Sequence, residues 1–181
     1  MISTLTKHEF TANDGSLITI RPVEHDDAGN IIQAVREIIE TGTFIQKEEP
    51  RTIAEEEQFI QDMKKKDNMY IAILRNNEIV GIARVIRGEL AMKNHVGLFR
   101  TWLVASAQGL GIGKLIMEYT LKWCMAHKLH KLCLTVFASN QVAFALYQKY
   151  GFVEEGRQKD QVILNGSFDD EILMAYFLTK N

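Results

Sequence analysis

Three glycines on alternate positions, Gly109, Gly111 and Gly113, stand between a run of strand-forming residues and a long helix-period segment. The stretch reads Leu103-Val104-Ala105-Ser106-Ala107-Gln108-Gly109-Leu110-Gly111-Ile112-Gly113-Lys114. A strand must stop here, turn through conformations that side chains disfavour, and enter a helix within a few residues. The first turn of that helix presents unpaired N–H groups and the positive end of its dipole. The junction therefore reads as a cradle for phosphate or pyrophosphate, against the plainer alternative of a tight strand-to-helix turn. Two familiar cradles do not fit. A P-loop needs Ser or Thr after its lysine, and Lys114 is followed by Leu115. The dinucleotide fingerprint needs a third glycine at 114 or 116, which are Lys114 and Ile116.

The surroundings are those of one soluble domain. The chain has 181 residues, 46% of them hydrophobic and 24% charged, enough for a single core. Its formal net charge of −2 argues against nucleic acid as the main partner. The longest apolar runs, such as residues 79–83, are too short for a membrane span, and the N-terminus lacks a signal-like apolar stretch. A cytoplasmic protein without membrane contact is expected. Cys124 and Cys133 form no C-x-x-C pair, and His127 and His130 follow a helix end where cations are favoured, so no metal site is expected.

Two prolines and the absence of any linker predict a single domain over 16–181. Residues 1–15 read as an N-terminal extension in which 7–12 could close a hairpin with strand 16–21 through Asn13-Asp14-Gly15. A helix is predicted from about His25 to Thr41. A second runs from a Thr52/Glu55 capping box to about Lys66, where the run Lys64-Lys65-Lys66 forms a solvated end. Strands follow over 69–75 and 79–86, joined by Asn76-Asn77, and over 96–104. Then come a helix 111–127, a strand 131–136, a helix 140–150 and strands 152–164 and 168–178. The order β-α-α-β-β-β-α-β-α-β-β implies a mixed α/β sheet with helices on its faces.

A second segment bears on function: Asn140-Gln141-Val142-Ala143-Phe144-Ala145-Leu146-Tyr147-Gln148-Lys149-Tyr150-Gly151-Phe152. Helical spacing puts Asn140, Ala143, Tyr147 and Tyr150 on neighbouring turns of one face. Gln108-x-x-Gly111-x-Gly113 resembles the acetyl-CoA loop of the GNAT superfamily of N-acetyltransferases, and this second segment is similar to the family's N-x-x-A-x-x-x-Y-x-x-x-G-F signature. The motifs occupy residues 103–152, and the architectural likeness covers about 16–178. The resemblance implies a central, largely antiparallel sheet of about 6–7 strands flanked by helices on both faces. It implies acetyl-CoA as cosubstrate and attack of an amine on its thioester in a ternary complex. It further implies that Leu103 and Val104 contact pantetheine and the thioester carbonyl, and that Gln108, Gly109, Leu110, Gly111, Ile112, Gly113 and Lys114 take the pyrophosphate. Asn140 and Ala143 would flank the pantetheine arm, and Tyr147 would donate a proton to the departing thiolate.

The family pattern is not followed throughout. Ala105 and Ala107 replace the proline and bulky residue common before the loop, and the strand 96–103 carries no carboxylate. His95 stands too far from Leu103 to serve as the base. Glu48 and Glu49 in the first interhelical loop, or water, remain as candidates. Neither cysteine has a sequence-local activating base, which disfavours an acyl-cysteine route. The acceptor would be a small-molecule amine or a peptide N-terminus. Arg100 either pairs with an acceptor carboxylate or faces outward as a polar strand residue. The final strands could pair across a homodimer. The rival to catalysis is a GNAT-like acyl-CoA sensor or scaffold, for which Tyr147 would have no use.

Overall fold

The computed structural model describes residues 6–178. The described residues gather into two compact units, each discontinuous in sequence: 6–86 with Arg100–Trp123, and Arg87–Phe99 with 124–178.

Turn chemistry and alternation build the first unit. β1 (His8–Thr11) and β2 (Leu17–Pro22) form an antiparallel hairpin in which His8 faces Ile20. Gly15 supplies the positive φ of its turn, +83°. β2 pairs with β3 (Met69–Arg75), which pairs with β4 (Glu78–Arg87). Asn76 and Asn77 both take positive φ, 49° and 71°, as a two-residue hairpin turn demands. β3 is buried from Met69 to Leu74, the mark of a strand paired on both edges and covered on both faces. α1 (Ala28–Thr41) buries Ala28, Ile31 and Val35, and α2 (Ile53–Lys65) buries Ile60 and Met63. These pack with Tyr70 and Ile82 as one apolar cluster. The capping box at the start of α2 is realised: the Thr52 N–H donates to Glu55 Oε2 (2.8 Å) and the Glu55 N–H to Thr52 Oγ1 (3.3 Å).

β5 (Val96–Leu103) and α3 (Ile112–Ala126) contribute residues to both units. In the second unit the order is β5, β6 (Lys131–Phe137), β8 (Ser167–Phe177), β7 (Val153–Leu164). β5 and β6 are parallel, with Val96 beside Lys131, which is why the chain crosses between them through a helix. β6–β8 and β7–β8 are antiparallel, and Asn165-Gly166 turns the last hairpin. α4 (Gln141–Lys149) ends at Gly151, whose φ of +97° lets the chain double back.

The mixed α/β class and largely antiparallel pairing follow the expectation. The strand count is eight, because the expected hairpin in the 1–15 extension is a full strand pair; residues 1–5 lie outside the described residues. Among the described residues, no helix is long and apolar enough to cross a membrane.

Candidate active site

The glycine junction occupies the first unit as one continuous turn. Val104 leads into a single 3-10 turn (Ala105–Ala107), Gln108 returns to extended backbone, and Gly109 and Gly111 take φ of +74° and +80°. At those two positions a side chain would be strained whatever the space. Gly111 is also confined: a Cβ there would lie 3.3 Å from the Asn13 amide. α3 starts at Ile112, so its first N–H groups follow directly from the bare backbone of Gly111.

The junction is braced from behind by the N-terminal hairpin. The Asn13 N–H donates to the Leu110 carbonyl (3.3 Å). Arg75 donates to the Ser106 carbonyl (3.2 Å) and to Ser16 Oγ (3.1 Å), and pairs with Asp14. Two Ser16 hydrogen bonds, ahead of Arg75, hold the Asp14 carboxyl below its ordinary range. Gln108 Nε2 donates to the Leu103 carbonyl (3.2 Å), so this side chain holds the turn to the strand it leaves. Lys114 is exposed and lies 3.9 Å from Glu118.

One expected role changes. The Val104 N–H, assigned above to the cofactor's carbonyl, donates to the Val80 carbonyl at 2.8 Å. A bulge in β4 causes this: Ile73 faces Gly81 and Leu74 faces Ile79, leaving Val80 extra. Gly81 beside it lets β4 and β5 close up, since a Cβ there would sit 2.4 Å from the Trp102 carbonyl.

The second unit holds the other motif on one short helix. Asn140 precedes α4 instead of occupying its first turn, and its Oδ1 accepts from the Ala143 N–H (3.3 Å) as an N-cap. That leaves Nδ2 as the donor Asn140 can offer elsewhere. Tyr147 is 9% exposed. Its ring meets Phe99 edge-on (centroids 6.4 Å apart) and packs against Phe152 at 5.7 Å. Burial pushes its phenol up to about 12, so it remains a proton donor throughout the neutral range.

Glu48 and Glu49 are exposed loop carboxylates. Sequence reasoning passed over a different acid, Glu56, which is 2% exposed and accepts from the Tyr70 hydroxyl and from Arg51 (3.0 Å). Burial, then the Glu56 charge, pushes the Tyr70 phenol well up. Arg84 of β4 was also missed; it shares the inward face of its strand with Ile82 and Ile86, and a cation on an otherwise apolar strand face was the available signal. Arg100 is half-buried and lies near enough to Arg84 to repel it, which departs from the outward-facing alternative. Burial pushes the Cys124 thiol up to about 12 and raises Cys133 as well, so neither is poised as a nucleophile.

Residues 32–152 match the model of the acetyltransferase (GNAT) family. The chain belongs to that family. It is 27% identical over 101 residues to an L-amino acid N-acetyltransferase of Escherichia coli, covering 55% of this chain and 62% of the relative. It is 27% identical over 108 residues to a spermidine N(1)-acetyltransferase of Vibrio cholerae, covering 57% and 61%. The chain thus spans about three-fifths of the length of these curated relatives. A GNAT superfamily phosphinothricin acetyltransferase from Sinorhizobium meliloti, solved with acetyl-CoA, shares the fold with a TM-score of 0.81 at 20% identity, over 93% of this chain and 89% of that one.

Proposed function

We propose that this GNAT protein transfers the acetyl group of acetyl-CoA to a primary amine of a small molecule or a peptide N-terminus, by direct attack in a ternary complex. The observation that carries this reading is the braced turn with Gly109 and Gly111 at positive φ, opening directly onto α3. Backbone N–H groups from Gly109 to Lys114 would take the pyrophosphate, a mode that needs no basic excess and suits a net charge of −2. A solved GNAT protein of the same fold is in complex with acetyl-CoA, and the open space around Gly109, where a Cβ would meet nothing within 4 Å, suits a ligand that approaches the backbone closely.

Acetyl-CoA supplies an activated thioester: the amine nitrogen bonds to its carbonyl carbon, the C–S bond breaks, and the sulfur leaves as thiolate. Tyr147, kept neutral by burial, is the group assigned to protonate that thiolate. Asn140, with Oδ1 used in the cap, would donate through Nδ2 to a pantetheine carbonyl. With the Val104 N–H engaged by Val80, the strand-end contact to the acyl group is assigned to Leu103. The raised thiols disfavour a route through an acyl-cysteine. The proton leaving the amine is assigned to water, because Glu48 and Glu49 stand exposed in their loop and Glu56 is held by Tyr70 and Arg51. The relatives' names span an amino acid and a polyamine, so the charge of the acceptor is the open variable.

Thiol release from acetyl-CoA over a panel of amines tests the reading. Wild-type protein should release CoA with at least one amine, and Tyr147→Phe should lose most of that rate. A melt with acetyl-CoA, ATP or NAD separates the nucleotide alternative. Acetyl-CoA alone should stabilise the protein, and Gly111→Glu should abolish the effect. Stabilisation by acetyl-CoA without tyrosine-dependent release from any amine would favour the sensor or scaffold.

A further inference from the structure

One face of the first unit gathers cations that the steps above do not use. Arg84 stands across from Tyr70 in the β3–β4 register, so both project from the same side of the sheet. The Arg84 guanidinium carbon lies 5.2 Å from the ring centroid of Phe59 and 5.4 Å from that of Trp102. Arg51, just before α2, lies 3.9 Å from the Phe59 centroid. Lys47 and Arg100 are half-buried and near enough to Arg84 to interact with it electrostatically. Against Lys47, Arg51, Arg84 and Arg100 the same interactions set two carboxylates, Glu56 and Glu55. Both have other work: Glu56 accepts from Arg51 and Tyr70, and Glu55 caps α2.

Burial first, then Arg51 and Arg100, push the Arg84 guanidinium down to about 10. Burial, with Arg51 next, pushes Lys47 down as well. Like charges desolvated side by side are unfavourable until an anion joins them. A guanidinium beside aromatic rings still presents its N–H fork at the edge, where a carboxylate can be bound in two parallel hydrogen bonds. Trp102 immediately precedes Leu103, the strand end assigned above to the acyl group.

Resting on the acetyltransferase reading, we propose that Arg84, flanked by Arg51, Arg100 and Lys47 and walled by Phe59 and Trp102, binds a carboxylate on the acceptor. The preferred acceptor is then a small amine that also carries a carboxylate. A polycationic amine would meet repulsion at the same place.

The test compares CoA release with L-amino acids, the corresponding amino-acid amides, a short peptide amide with a free N-terminus, and spermidine. Wild type, Arg84→Gln, Arg84→Lys and Arg100→Gln are assayed together, each with its melting temperature. The acids should exceed their own amides by ~30-fold in kcat/KM, the scale of one charge-assisted contact. Arg84→Gln should raise KM for the acid by a similar factor and collapse the acid-to-amide ratio toward one, with little change in KM for acetyl-CoA. Arg84→Lys should restore part of the ratio, and Arg100→Gln should lower it less. Equal losses on acid and amide, or preference for spermidine or the peptide amide, would overturn the proposal. Stabilisation by acetyl-CoA keeps the failures apart. If wild type shows neither stabilisation nor CoA release, the acetyltransferase reading falls and takes the carboxylate site with it. If both persist while acid and amide react alike, only the carboxylate site falls.

Discussion

Tyr147 is nearly cut off from water, enclosed by Phe99 and Phe152, and its raised pKa has a kinetic consequence. A phenol pushed up to about 12 stays protonated where a free tyrosine would ionise near 10. The pH profile of kcat should therefore show no fall from tyrosine ionisation between pH 7 and 10. Tyr147→Phe should lower kcat by roughly 100-fold or more, while the Kd of acetyl-CoA shifts only a few-fold. Loss of cofactor binding in step with kcat would mean that the residue packs and does not donate. Asp27 offers a stability test of the opposite sign. Burial pushes its carboxyl up, but the paired bonds from Arg21 (2.7 and 2.9 Å), the Glu24 N–H and the Arg21 charge outweigh this and hold it below 3.8. A depressed folded pKa means stabilisation that is present above the unfolded value and lost as pH falls through the folded one. The contribution should thus be complete at pH 6 and fade below about pH 4. Asp27→Ala should cost roughly 3 kcal/mol at neutral pH, since it strands Arg21 half-buried. A urea titration at pH 7 and pH 3 should show that penalty shrinking in acid.

The N-terminal hairpin bears on the glycine turn more than its place in the sequence suggested. Asn13 meets Leu110 and Gly111, and Arg75 joins Asp14 and Ser16 of the hairpin to Ser106 ahead of the turn. Arg75→Gln should raise the Kd of acetyl-CoA by about 3- to 10-fold, the net scale of one ordinary hydrogen bond, because the brace acts on the turn and not on the ligand. It should leave kcat at saturation almost intact, and calorimetric titration against steady-state kinetics would separate the two. The start of α2 follows its Thr52/Glu55 cap. Thr52→Ala should cost about 1 kcal/mol in a chemical melt, the usual value of such a cap. Asn140 shows the limit of that kind of reading. A signature residue and an N-cap are the same letter in sequence, and only the 3.3 Å contact to the Ala143 N–H shows that Oδ1 is already used.

Across the whole molecule, protection should follow burial and pairing. The amides of β3, paired on both edges and buried from Met69 to Leu74, should exchange with solvent slowest in the first unit. In the second unit the mostly exposed β7 should exchange early, above all around Lys159–Gln161, where the ladder to β8 is interrupted between Gln158 and Val162. Mass-resolved hydrogen exchange reads both. Equal protection of β7 and β3 would contradict the burial pattern.

Local order in this protein was written in the sequence. The Asn76-Asn77 and Asn165-Gly166 turns, the Thr52/Glu55 cap, the glycine turn before α3 and the helix bearing Tyr147 each depend on residues a few positions apart, where sterics and hydrogen bonding act within one turn. Tertiary structure alone decided three other things. It bulged β4 at Val80 and so took up the Val104 N–H. It set the N-terminal hairpin behind the glycine turn. And it drew Arg51, Phe59, Tyr70, Arg84 and Trp102 from four separate segments onto one face. No periodicity announces such a cluster, because its charges and rings become neighbours only when the strands find their register and the helices cover them. Desolvation then gives each cation a strength that the letter Arg, read in solution, does not carry.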